Sequence, residues 1–276
     1  MGNHVLYEKK GKKAFIILNK PEKLNTLDLE MYDDVYTYLK EAEADEEVRV
    51  VILKGAGRCF SAGYDIEAET NSPFKTPMDE RNMVHNDVNA LRWRIWDMGK
   101  PVICQIHGYC LGGATDLMLP ADYVITSDDC KIGSPQIQFG GAPVYLMAPW
   151  LTGIRKGKEL MLTGEKISGK EAAECGLVTK SMPAEELDDY VEKLANKLIL
   201  MPAEILAVQK WGINKQFEVM GIKAAMDAWE DYSMFFRYMI TPEIEEFNRI
   251  AGEKGTKVAL KWREDYEAGK VGIGEI

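Results

Sequence analysis

"HGYCLGGATDLMLPAD" (His107–Asp122) is the stretch on which the fold turns. An apolar run, Val102–Ile106, leads into it. Two adjacent glycines, Gly112 and Gly113, follow, and an apolar segment then restarts with a single acid, Asp116, in its first turn. Read as strand, glycine turn and helix, this places the Gly113 amide in a first helical turn, without an intrahelical partner and at the positive end of the helix dipole. Glycine leaves no side chain to obstruct a ligand oxygen, and preorganised N–H donors of this kind are the parts of an oxyanion hole. Asp116 follows at i+3 and falls on the same helical face. Taken alone, it is equally readable as a first-turn acid that complements the dipole.

Working outward, Val5–Tyr7 and Ala14–Leu18 flank the polar "EKKGKK" as a hairpin, and "VRVVILKG" (Val48–Gly55) has the continuous apolar character of a strand covered on both faces. Between them Asp28 is a candidate helix cap, with Met31, Val35, Leu39 and Ala42 at helical spacing. Ile66–Glu80, with two prolines, reads as a surface loop, and a helix over Arg81–Met98 leads back to the Val102 strand. "DYVITS" (Asp122–Ser127) is the next strand expected. The alternation of strands and helices predicts an α/β domain with helices packed outside parallel strands. Past Gly176 the pattern turns helical, with apolar faces after Pro202, Gly221 and Pro242. We expect a core over 1–200 and a helical region over 201–276.

The 276 residues carry a net charge of −10, which disfavours a broad nucleic-acid-binding surface while leaving room for a local basic pocket. No apolar run is long enough to span a membrane, and "MGNHVLYEKKGKK" lacks the apolar core of a signal peptide, so a cytoplasmic location is expected. Five scattered cysteines without CxxC spacing fit free thiols rather than a disulfide framework or a zinc site. "LKGAGRCFSAG" lacks the full G-x-G-x-x-G spacing, and neither glycine turn continues as GK[ST], so NAD and ATP are not expected.

A second glycine turn lies in "CFSAGYDI" (Cys59–Ile66), where the Tyr64 amide is exposed to the same argument as that of Gly113. Two such turns after two strands of one sheet could bring two amides to one carbonyl oxygen, which suggests enolate or tetrahedral chemistry. "FSAGYDI", "KPVICQIHGYCLGGATDL", "ADYVITSDDCKIGSPQ" and "GKELMLTGEKISGKEAAECGLVTKSMP" together resemble, in order and spacing, the crotonase (enoyl-CoA hydratase/isomerase) superfamily, over about Val5–Lys215.

The resemblance implies a spiral of ββα turns with a helical carboxy-terminal region for pocket closure and assembly as a trimer or dimer of trimers. It implies an acyl-CoA substrate, with coenzyme A arriving as part of that substrate and no permanently bound cofactor or metal. By the same resemblance the thioester oxygen sits between the amides of Tyr64 and Gly113. Substrate contacts fall to Ala62, Asp65, Ile66 and Gly112, and the acyl pocket to His85, Tyr145 and Trp150. His85 also reads as a surface histidine on an amphipathic helix, and His107 as a brace for the turn.

The chain departs from the family at both glutamates of its hydratases. The first position is Asp116, one methylene shorter, and the second is Gln136, whose amide can orient water or bind a polar group but cannot shuttle a proton near neutral pH. An enoyl-CoA hydratase/isomerase-like lyase is therefore expected, with Asp116 as acid/base. The alternatives are a CoA-thioester or C–C bond hydrolase on the same fold and a catalytically silent acyl-CoA-binding or scaffold relative.

Overall fold

The structure, a computed structural model, describes residues 4–65, 76–141, 144 and 146–275. Its main sheet follows from four apolar runs. Strands β1 (Val5–Lys10) and β2 (Lys13–Leu18) form the expected antiparallel hairpin, and β2 pairs in parallel with β3 (Val50–Gly55). Next come β4 (Val102–Ile106) and, after the short β5 (Tyr109–Leu111), β6 (Tyr123–Ser127). The six-stranded order is β1-β2-β3-β4-β6-β9, with β9 at Lys180–Met182 and every pairing from β2 onward parallel.

Both faces of this sheet are covered, which is why its strands read as unbroken apolar runs. Successive side chains point to opposite faces. Val51, Leu53, Val102, Cys104 and Ile106 join the larger core together with helix α1 (Leu29–Ala44), whose Met31, Val35, Leu39 and Ala42 are all buried. Val50, Ile52, Ile103 and Ile125 face the other way, against Leu187, Val191, Ala195 and Leu198 of the helix Ala184–Ile199. The Asp28 side chain accepts from the Met31 amide and caps α1 as its position predicts.

A second sheet was not anticipated. Strands β5, β7 (Lys131–Gly133) and β8 (Ile167–Ser168) form it in the order β5-β7-β8, with β5 inserted between β4 and the glycine pair. Three residues show too little periodicity to be distinguished from a turn, so the segment leading into Gly112 reads as loop although it is paired to β7.

The region between β3 and β4 also differs from the sequence reading. Helix begins at Pro77, inside the expected loop, as α2 (Pro77–Met83); a π-helical turn, Val84–Val88, follows, and α3 (Asn89–Asp97) completes the segment. Residues 66–75 of that loop lie outside the described residues. After β5 the short helix α4 (Ala114–Met118) carries Asp116. The carboxy-terminal helices are Ala203–Val219, Ile222–Tyr238, Pro242–Lys254 and Thr256–Glu267. Ile222 and Met226 belong to the main core, whereas Phe247, Ile250, Ala259 and Trp262 form a small separate one. No helix among the described residues is long and apolar enough to cross a membrane.

Candidate active site

The two glycine turns run side by side. Ser61 bridges Cys110 in parallel, and the Leu111 amide donates to the Ser61 carbonyl at 3.2 Å. A side chain at Gly63 would meet the Leu111 carbonyl oxygen at 2.5 Å, and Gly63 has φ of +96°, so glycine is required there both for approach and for conformation. On the other side Leu27 bridges Tyr64, with the Leu27 amide donating to the Gly63 carbonyl and the Asp65 amide donating to the Leu27 carbonyl. The Gly112 amide donates to the Gly133 carbonyl at 2.9 Å. Among the described residues, neither the Tyr64 nor the Gly113 amide donates a hydrogen bond within the chain.

The Tyr64 side chain folds over the second turn. A Cβ on Gly113 would lie 2.7 Å from its ring, the ring stacks on that of Tyr32 at 6.1 Å, and the hydroxyl donates to Asp116 Oδ2 at 3.1 Å. The other Asp116 oxygen accepts from Arg92 Nη2 at 2.7 Å. Arg92 is buried in α3 and also donates from Nη1 to Glu230 Oε1 at 2.6 Å and to the Asn89 side-chain oxygen, while the Asn89 amide donates to Glu230. Burial raises the Asp116 carboxyl, an effect that Arg92 partly offsets, and raises Glu230 for the same reason. Burial, reinforced by Tyr32 and Asp116, holds the Tyr64 phenol well above its ordinary value.

Gln136 stands beside the glycine pair. A Cβ on Gly112, whose φ is +54°, would come within 2.6 Å of Gln136 Nε2. The Ser134 hydroxyl donates to Gln136 Oε1 at 3.0 Å, which leaves the amide NH2 as its free donor end. The structure thus brings Tyr64, Gly112, Gly113, Asp116 and Gln136 together.

The other expected contacts are placed differently. The Ala62 amide donates to the Leu24 carbonyl at 3.0 Å, so Ala62 helps anchor the loop. The Asp65 carboxylate is buried and accepts from Lys20 Nζ at 3.0 Å, tying the loop to β2's exit. His85 Nε2 is 3.3 Å from Asp231 Oδ1 on the helix Ile222–Tyr238, one shell out from Glu230. His85, Asp227 and Glu230 bring possible ligand atoms within 4.8 Å of one another, but Glu230 is already held by Arg92 and Asn89. Trp150 lines a separate cavity of about 330 Å³ whose walls include Trp96, Leu119, Lys210 and Phe217 and none of the glycine-turn residues. Ile66 and Tyr145 lie outside the described residues. His107 braces its turn, with Nε2 2.9 Å from the Gly57 carbonyl.

Arg92, Glu230 and Asn89 were missed from sequence, although a signal exists. Val88, Arg92, Ile95 and Trp96 share one buried helical face, as do Ile222, Met226 and Glu230. A charge on an apolar stripe needs a partner, and here each supplies the other.

The family model described as enoyl-CoA hydratase/isomerase matches residues 8–248. A probable mitochondrial enoyl-CoA hydratase of Dictyostelium discoideum is 31% identical over 77% of this chain and 76% of its own length. The hydroxycinnamoyl-CoA hydratase-lyase of Pseudomonas fluorescens is 28% identical over 73% of the chain and 75% of its own length. The crystal structure of an enoyl-CoA hydratase/isomerase from Xanthobacter autotrophicus Py2 superposes with a TM-score of 0.90 at 30% identity, covering 95% of this chain and 98% of that one. With its parallel sheet, paired glycine turns and acid-bearing helix all in order, the chain belongs to the enoyl-CoA hydratase/isomerase family.

Proposed function

We propose that the protein is an acyl-CoA-converting enzyme that adds water to, or removes it from, a 2-enoyl-CoA thioester, or shifts its double bond. The observation that carries this reading is the pair of unengaged amides, Tyr64 and Gly113, on adjoining loops beside a buried acid. Two such donors on a thioester oxygen stabilise the enolate-like transition state, and losing one typically costs about 10²–10³ in rate. Asp116 holds the proton in transit, and Gln136 offers its NH2 to water or to an oxygen of the acyl chain. Coenzyme A enters and leaves with the substrate.

Exposed apolar side chains on the helix Ala203–Val219, among them Ile205, Val208 and Trp211, support assembly into a homotrimer or dimer of trimers through the carboxy-terminal region. A panel of 2-enoyl-CoA and saturated acyl-CoA thioesters, followed by loss of the conjugated enoyl-thioester absorbance and by mass spectrometry, tests the reaction. Mass gain of one water supports hydration. Release of free coenzyme A would instead identify a thioester hydrolase.

A further inference from the structure

Asp116 is 2% exposed, and both of its oxygens are engaged, one by Arg92 and one by Tyr64. Arg92 is buried and Tyr64 only partly so, and Tyr64 belongs to the loop whose unengaged amide faces the proposed thioester, so of the two it is the one next to the substrate. Its ring is fixed between Tyr32 and Gly113, and its single hydroxyl proton points at Asp116, so even with the Tyr32 hydroxyl bonded to it the phenol oxygen keeps a lone pair to accept. We propose that the Tyr64 hydroxyl is a catalytic residue that touches the reacting water and relays its proton to and from Asp116. Arg92, held by Glu230 and Asn89, is the positioning residue behind them.

This inference rests on the hydratase reading. As the water oxygen bonds to C3 of the enoyl thioester, one water O–H bond breaks. That proton passes to Tyr64 Oη while the Tyr64 proton passes to Asp116 Oδ2, and the electron pair of the C2=C3 bond moves into the thioester as an enolate. Tyr64 then gives a proton to C2 and recovers one from Asp116, restoring phenol and carboxylate. One proton leaves water and one reaches C2, so the addition closes without a second carboxylate, and Gln136 in place of a glutamate is no obstacle. Burial keeps the phenol neutral, so it releases a proton only as it accepts another.

Tyr64→Phe keeps the ring, its stacking and the main-chain amide, and removes only the hydroxyl. With but-2-enoyl-CoA, kcat is expected to fall about 100-fold or more. Affinity for butyryl-CoA, measured by calorimetric titration, should stay within about threefold. In the unaltered protein, two protons moving together give a bowed dependence of kcat on the deuterium fraction of the solvent. Turnover of Y64F within about threefold of the unaltered protein, or a linear solvent-isotope dependence, overturns the relay while leaving the hydratase reading intact. If the unaltered protein hydrates no 2-enoyl-CoA, that reading falls and the relay with it.

Discussion

Two buried cations, Lys210 and Arg92, are built to opposite ends. Lys210 donates to Asp122 Oδ2 at 2.7 Å and to the carbonyls of Ile95 and Lys100 at 2.9 and 3.3 Å, so its three N–H donors meet three acceptors and one positive charge meets one negative. Around Arg92, one guanidinium faces two carboxylates, Asp116 and Glu230. The first arrangement is closed and has no chemistry left to do. In the second, two carboxylates share that cation, and burial pushes both toward the protonated form. A buried charge is therefore not by itself evidence of a site; what marks the candidate site is a shared cation beside two amides that donate to nothing among the described residues.

The comparison is most exposed to a neutral replacement of the acid. Asp116→Asn keeps the volume, leaves Arg92 with one carboxylate, and is expected to lower turnover by about 10²–10⁴ while coenzyme A affinity is retained. Unchanged steady-state rates would remove Asp116 from the reaction. Lys210→Met leaves the partly exposed Asp122 without its cation and should cost about 1–3 kcal/mol in urea unfolding, with the rate per folded molecule unaltered. If that variant instead lost activity at constant stability, the two pairs would not differ in kind.

Acid titration sharpens the contrast further. Burial lifts the Asp116 carboxyl above its ordinary value of 3.8, so the base form is lost at higher pH than for an exposed aspartate, and kcat/KM falls as pH drops through that raised value. For stability the sign is opposite. Between the ordinary and the raised value the folded state binds more protons than the unfolded, so this group's contribution decreases as pH rises through that window. An acid limb at or below 3.8 would show that Arg92 outweighs burial. The smallest effect is expected far from both pairs: Ser168→Ala removes the capping box with Glu171 and should cost about 1 kcal/mol with no change in kinetics.

Most of the scaffold was legible because its signals are local. The α1 cap and stripe, the β3 and β4 apolar runs and the glycine turn into α4 each declare themselves within a few residues. Of the candidate site, the amide donors and Asp116 are readable as candidates from the turn itself, and Gln136 from the family resemblance. What escaped depends on long-range pairing. Arg92 and Glu230 are 138 positions apart, and only the tertiary packing of α3 against the helix Ile222–Tyr238 reveals that they meet. Strand β5 escaped because three residues have no period to read. The partner of Asp65 escaped for a related reason, since Lys20, which donates to its carboxylate, lies 45 positions away.

The π-helical turn Val84–Val88 has its own implication for how the chain tolerates change. A regular helix rotates about 100° per residue, so the wider turn re-phases everything after it by one position. Asn89 and Arg92, both buried, follow directly on it. Removing one amino acid from this turn would let it close to a regular helix with Asn89 and Arg92 facing as before, whereas the regular turns of α3 hold no such slack. A change of length by one residue is thus best absorbed at this turn.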